Sequence, residues 1–172
     1  MKKLSMEALG RPTVAEVALA PRNPLVVVLD SVRSMSNVGS VFRTADGFGI
    51  SRLYLCGITA QPPHREIYKT ALGAEHTVPW QYEADVVALL KRLKEDGYTL
   101  CALEQTDTPT WLHQFMPDPS AKYALIAGNE VYGVSDEALA ECDLALEIAQ
   151  AGAKHRLNVA VAVGVAVYGL TR

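Results

Sequence analysis

The chain reads as an α/β protein with a mainly parallel sheet flanked by helices, and three stretches carry that reading. Leu25-Val-Val-Val-Leu29 is a β-branched apolar run that opens into helix-spaced Val38, Val41, Phe42 and Ala45. Tyr123–Ala127 is a second apolar run, broken by a loop bounded by Gly128 and Gly133. Leu144–Ile148 is a third, leading through a polar loop into the apolar segment Asn158–Leu170. Strands that alternate with helical patterns in this way build parallel sheets.

The elements follow in order. Residues 1–24 form an N-terminal extension, where Pro12, Pro21 and Pro24 leave room for one short helix over Val14–Ala18. Leu25–Asp30 is a buried strand. Asn37 suits the N-cap of the next helix, Val38–Phe48, because its side-chain oxygen can accept an orphan first-turn amide. Arg52–Cys56 is the next strand. Pro62-Pro63 marks a turn, followed by a helical turn at Ile67–Leu72 and a short extended piece, Val78-Pro-Trp80. Ala84–Glu95 is an amphipathic helix with Val87, Leu90 and Leu93 inward, and Gly97 suits its end. Thr99–Leu103 is a strand, and residues 105–121 read as a loop with three prolines and Trp111. Tyr123–Ala127, Asp136–Glu141, Leu144–Ile148 and Asn158–Leu170 complete the chain as strand, short helix, strand and closing helix.

At 172 residues, with 49% apolar and 20% charged side chains, this is one globular domain with room for a core. Cys56, Cys101 and Cys142 are dispersed, which fits reduced thiols in a cytoplasmic protein and excludes a disulfide frame. His64, His76, His113 and His155 lack metal-ligand spacing, so no metal is expected. No apolar run is long enough to span a bilayer, and Glu7 and Arg11 interrupt any leader-like segment. The net charge of −3 hides an asymmetry. Residues 1–76 carry nine Lys and Arg against six Asp and Glu, whereas residues 77–172 carry seven against thirteen. The basic part, with Arg33, Arg43, Arg52, Arg65 and Lys69, suits an RNA-facing surface and equally suits ordinary solvated charge.

Asn37, Ser40 and Arg43 are three residues apart on a helix that follows a strand end, where open α/β sheets bind ligands. A guanidinium held there suits a phosphate, which it grips through two parallel hydrogen bonds. Alone, the segment reads equally as a capped surface helix with one solvated arginine. Phosphate cradles of known type are absent: Gly47-Phe-Gly49 lacks a third glycine in place, and Gly128 to Gly133 lacks the following Lys-Ser/Thr.

Together, Asn37–Ala45, Leu125–Ser135 and Glu147–Ala160 resemble the three signature motifs of the SpoU (TrmH-like) RNA 2′-O-ribose methyltransferases of the SPOUT superfamily. They match in order and spacing, and the resemblance runs from about Leu25 to the C-terminus. It implies a C-terminal trefoil knot, a homodimer, S-adenosylmethionine as methyl donor and a ribose 2′-hydroxyl of tRNA or rRNA as acceptor. Carried onto this chain, it implies Arg43, Asn37, Glu130 and Asn158 as catalytic residues. Leu103, Glu104, Gly128, Asn129, Ile148, Gln150 and Leu157 fall on the cofactor loops, and Ser40, Arg33, Lys154 and Arg156 on the RNA side.

Glu130 is expected either to pair with Arg43 or to accept from the substrate. Arg43 matches the residue often assigned as proton acceptor. Deprotonating a guanidinium at neutral pH costs about 9 kcal/mol, so a phosphate-binding, charge-stabilising role is the better expectation.

The third motif departs from the family pattern. Ala149 stands for a proline, Arg156 for a serine and Ala160 for a second serine, while Leu157 and Asn158 match. Arg156 either adds a phosphate contact or obstructs the site, leaving a homologue that binds cofactor and RNA without turnover. An α/β enzyme of small molecules is the remaining alternative, and it requires an accidental motif match.

Overall fold

The computed structural model describes the chain except residues 6, 7, 9, 11, 12, 154 and 155, with backbone alone at Val14, Ala15 and Ala18. After the helix α1 (Val14–Leu19), capped by Thr13, seven strands form one sheet: β1 Asn23–Asp30, β2 Ile50–Cys56, β3 Trp80–Glu83, β4 Tyr98–Leu103, β5 Thr110–Trp111, β6 Lys122–Ala127 and β7 Leu144–Glu147. Their spatial order is β3-β2-β1-β6-β4-β7-β5 and every pair is parallel. Parallel strands covered on both faces need apolar side chains on both, which is why Leu25–Leu29 runs without alternation.

The helices α2 (Met35–Gly47), α3 (Arg65–Ala71) and α6 (Val159–Thr171) share one apolar core with Leu25, Val27 and Leu29 of β1. The helices α4 (Val86–Glu95) and α5 (Asp136–Glu141) share the other with Val26 and Val28. Within α2, Val38, Val41, Phe42 and Ala45 form the buried stripe the spacing predicts.

Several boundaries differ from expectation for physical reasons. The N-cap of α2 is Ser34, whose hydroxyl accepts from the amide of Asn37, so Asn37 sits inside the first turn. Conversely, Asn158 lies just outside α6 as its cap, accepting from the amides of Ala160 and Val161. Asp85 caps α4, which turns Leu89 inward beside Leu90 and Leu93 and leaves Val87 only half-buried. The expected loop 105–121 contains the two-residue edge strand β5, and a 3-10 turn at Ala74–His76 follows α3.

Candidate functional site

Inserting β6 between β1 and β4 brings three loops together at the carboxyl ends of β4, β6 and β7. They enclose a cavity of about 300 Å3, at the small end of the range that small-molecule sites occupy. Leu103, Glu104, Gly128, Asn129, Ile148, Gln150 and Leu157 all line it, as do Glu130, Arg156 and Asn158. Leu146 and Ala162 complete the apolar wall. Nothing in sequence distinguishes those two from ordinary core residues, because their place depends on the strand order.

Each loop is braced by its own side chains. Gly128 sits where the 128–134 loop folds back on itself, and a Cβ there would run into the backbone of Gly133 and Val134. Asn129 Oδ1 accepts from the amides of Val131 and Tyr132 at 2.9 and 3.2 Å, and its Nδ2 donates to the carbonyl of Ser31 at 2.8 Å. That second bond holds Ser31 in the left-handed region at φ 56°, a conformation that costs energy for a residue with a side chain. Glu104 Oε2 accepts from the amide of Val134 at 3.0 Å. Arg156 spans the same wall: Nη2 lies 3.7 Å from Glu104 Oε1, and Nη1 donates to the carbonyl of Val131 at 3.3 Å. Lys154 lies outside the described residues.

The three motifs meet in one line of hydrogen bonds. Asn158 Nδ2 donates to Asn37 Oδ1 at 3.0 Å, and Asn37 Nδ2 donates to Glu130 Oε1 at 2.9 Å. The Glu130 carboxylate also accepts from the backbone amides of Arg33 at 2.9 Å and Ser34 at 3.0 Å. Burial pushes this carboxyl up, but the amides of Arg33 and Ser34 and the Asn37 side chain outweigh it and hold it below its ordinary value. Such a carboxylate is a weak base, and its position at the start of α2 also suits the helix dipole.

The expected pairing of Glu130 with Arg43 is absent. Arg43 is exposed on α2 and, among the described residues, has no carboxylate within 4 Å. Glu130 spends its oxygens on the β1–α2 loop instead. Ser40 donates its hydroxyl to the Ser36 carbonyl one turn back, and Arg33 is exposed.

Other chemistries find little support. The three cysteines are free, and burial pushes their thiols up to about 12, far from a reactive thiolate. Among the described residues no cluster of His, Cys, Asp or Glu is arranged to hold a metal, and no helix is long and apolar enough to cross a membrane.

A parallel α/β sheet with a cavity at its strand ends, tied by an Asn-Asn-Glu line to the helix that follows β1, has the architecture of strand-end binding proteins rather than of a P-loop or hydride enzyme. Within that class the chain belongs to the SpoU rRNA methylase family, whose model matches residues 24–168. It is 32% identical over 152 residues to the tRNA (guanosine(18)-2′-O)-methyltransferase of Saccharomyces cerevisiae, covering 87% of this chain and 10% of that protein. It is 32% identical over 146 residues to the 23S rRNA (guanosine(2553)-2′-O)-methyltransferase of Bacillus subtilis, covering 84% and 57%. The fold matches an AdoMet-bound rRNA methyltransferase from Sinorhizobium meliloti with TM-score 0.80 at 26% identity, covering 90% and 59%. It matches the TrmH/SpoU tRNA modifying enzyme of A. aeolicus with TM-score 0.81 at 25% identity, covering 92% and 79%. The chain thus spans only part of the length of these curated relatives.

Proposed function

We propose that the chain is an S-adenosylmethionine-dependent RNA methyltransferase that modifies a ribose 2′-hydroxyl of tRNA or rRNA. The observation that carries this reading is the Asn158–Asn37–Glu130 line, which ties the cavity rim to the helix bearing the exposed Arg43. The cavity suits the cofactor chemically. Leu103, Leu146, Ile148 and Leu157 offer apolar walls for a purine, and bare backbone at Gly128 allows close approach.

When bound, S-adenosylmethionine supplies a methyl on a sulfonium. The residues of this chain then have distinct tasks. Arg43 binds the phosphate beside the target ribose and stabilises negative charge growing on O2′. Asn37, locked from both sides, holds the start of α2 and orients the ribose. Glu130 is a positioning residue that clamps the β1–α2 loop. Arg33 and Ser40, with Lys154, extend the RNA side of this reading.

A homodimer completes it. Val161, Val165 and Tyr168 expose 54%, 42% and 62% of their surface along one face of α6, and a second copy would cover them. The family's knot and a cytoplasmic location belong to the same reading.

Incubation with labelled S-adenosylmethionine and total RNA, followed by mapping of the modified nucleotide, tests the activity. Label on a 2′-O-methyl nucleoside is the expected result, and label on a base or on none would overturn it. One observation favours a second reading, a homologue that binds without turnover: Arg156 fills the cavity wall where the family places a serine.

A further inference from the structure

We propose that a second cavity, between α3, the 3-10 turn and β3, receives an unstacked base of the substrate RNA next to the modified nucleotide. The inference rests on the RNA-methyltransferase reading and adds to it a site outside the three motifs.

This cavity has a volume of about 500 Å3, larger than the strand-end cavity. Its walls carry His64, Arg65, Tyr68, Glu75, His76 and Trp80. That set matches the chemistry of a nucleotide: flat rings for a base, donors and an acceptor for its edge, and a guanidinium for its phosphate. Tyr68 is 60% exposed, although the buried face of α3 needs only Ile67 and Ala71. Trp80 is half-buried and held by an edge contact with Phe42, ring centres 6.3 Å apart at 87°. His64 Nδ1 accepts from the amide of Glu66 at 3.2 Å, which leaves Nε2 as the ring nitrogen available to a ligand. Glu75 is 9% exposed and accepts from the Gly73 amide at 3.1 Å, with its other oxygen 3.6 Å from His76. Glu66 is taken by Lys69 at 2.7 Å, and Arg65 has no ion-pair partner among the described residues.

The location fits a strand of RNA already held at Arg43. The two cavities lie on opposite sides of β1 in the sheet, and α2, which carries Arg43, packs against both α3 and α6. The Thr70 hydroxyl donates to the Ser36 carbonyl at 2.9 Å, fastening α3 to α2. RNA that presents a ribose to the strand-end cavity across α2 therefore has neighbouring nucleotides beside α3. Stacking on exposed aromatic rings tolerates any base and requires a single-stranded segment, so the site selects for loops or flipped nucleotides over intact duplex.

The chain has two tryptophans, Trp80 and Trp111. In a Trp111→Phe background, Trp80 reports on this cavity alone. Titration with a fluorescent-labelled single-stranded oligoribonucleotide should quench Trp80 emission in step with the rise in label anisotropy. Tyr68→Ala and Arg65→Ala should each weaken oligonucleotide binding about tenfold, with calorimetric affinity for S-adenosylmethionine unchanged. Oligonucleotide binding with silent Trp80 emission and full affinity in Tyr68→Ala would overturn this site alone. Failure to bind any RNA would overturn both the site and the proposed activity.

Discussion

Asn158 and Asn37, 121 positions apart in the chain, meet amide to amide at 3.0 Å. The direction of this bond is dictated. Asn158 must turn its oxygen to the free amides at the start of α6, so its NH2 points away and finds the oxygen of Asn37. The NH2 of Asn37 is then left for Glu130. A helix cap in the third motif thus sets the polarity of a bond between the first and second.

That coupling is measurable. Asn37→Ala and Asn158→Ala should each lower kcat/KM for methyl transfer by roughly ten- to a hundredfold, and the double variant should lose less than the product. The coupling energy expected for residues in one network is about 0.5–3 kcal/mol. Strict additivity in the cycle would show that the two amides act separately.

Arg43 is exposed and has no ion-pair partner among the described residues, so its removal should not unfold the chain. Arg43→Ala should cut methyl transfer by at least about 100-fold while cofactor affinity stays within twofold. Arg43→Lys should restore little, because an ammonium lacks the paired donors of the guanidinium. Transfer assays with parallel calorimetry decide this, and near-normal turnover in the alanine variant would remove Arg43 from the mechanism.

Arg156 is engaged with Glu104 and the Val131 carbonyl. Arg156→Ser should therefore loosen the strand-end cavity and weaken S-adenosylmethionine binding several-fold. Glu104→Gln should give a similar loss, non-additive with the first. The log–log salt dependence of RNA binding should stay unchanged. A fall of about one unit in that slope would instead mark Arg156 as a phosphate contact.

Glu130 links stability to pH. Its folded carboxyl titrates below its ordinary value of 4.5, so its contribution is fully present above that value. The contribution is lost as pH falls from there through the lowered folded value. Thermal unfolding followed from pH 7 to pH 3 should show this acid limb in the wild type and a shallower one in Glu130→Gln. Parallel curves would assign the acid sensitivity to other carboxylates.

The exposed face of α6 sets the last expectation. Light scattering should give twice the chain mass at tens of micromolar, and Val161→Glu with Tyr168→Glu should return a folded monomer. A wild-type monomer would leave that apolar face without a partner.

The strands β1 and β6 were legible because burial on both faces writes itself into composition, α2 through the helical spacing of its one buried stripe, and α6 through its unbroken apolar run. The cavity residues were legible through the motifs, not through periodicity. Three features were hidden. Ser34 and Asn37 are both good caps, and the Asn37 side chain is drawn away from capping by two residues far along the chain, Asn158 at its oxygen and Glu130 at its NH2. The strand β5 has two residues in a proline-rich loop, too few for any pattern. Partnership of Arg156 with Glu104 depends on the order in which β4, β6 and β7 lie side by side, which no local pattern encodes.

Gly39 carries a consequence beyond packing. A methyl group at that position would strike the Ile67 carbonyl and the Thr70 hydroxyl, so at Gly39 the backbone of α2 rests directly on α3 and on the hydroxyl that ties the two together. With backbone against backbone at that point and a hydrogen bond from Thr70 to the Ser36 carbonyl, the two helices are held as one unit. The distance from Arg43 to the aromatic cavity is therefore a fixed gauge. An RNA engaging both would be selected by the spacing of its nucleotides, much as a key blank is rejected for its length before any tooth is tried.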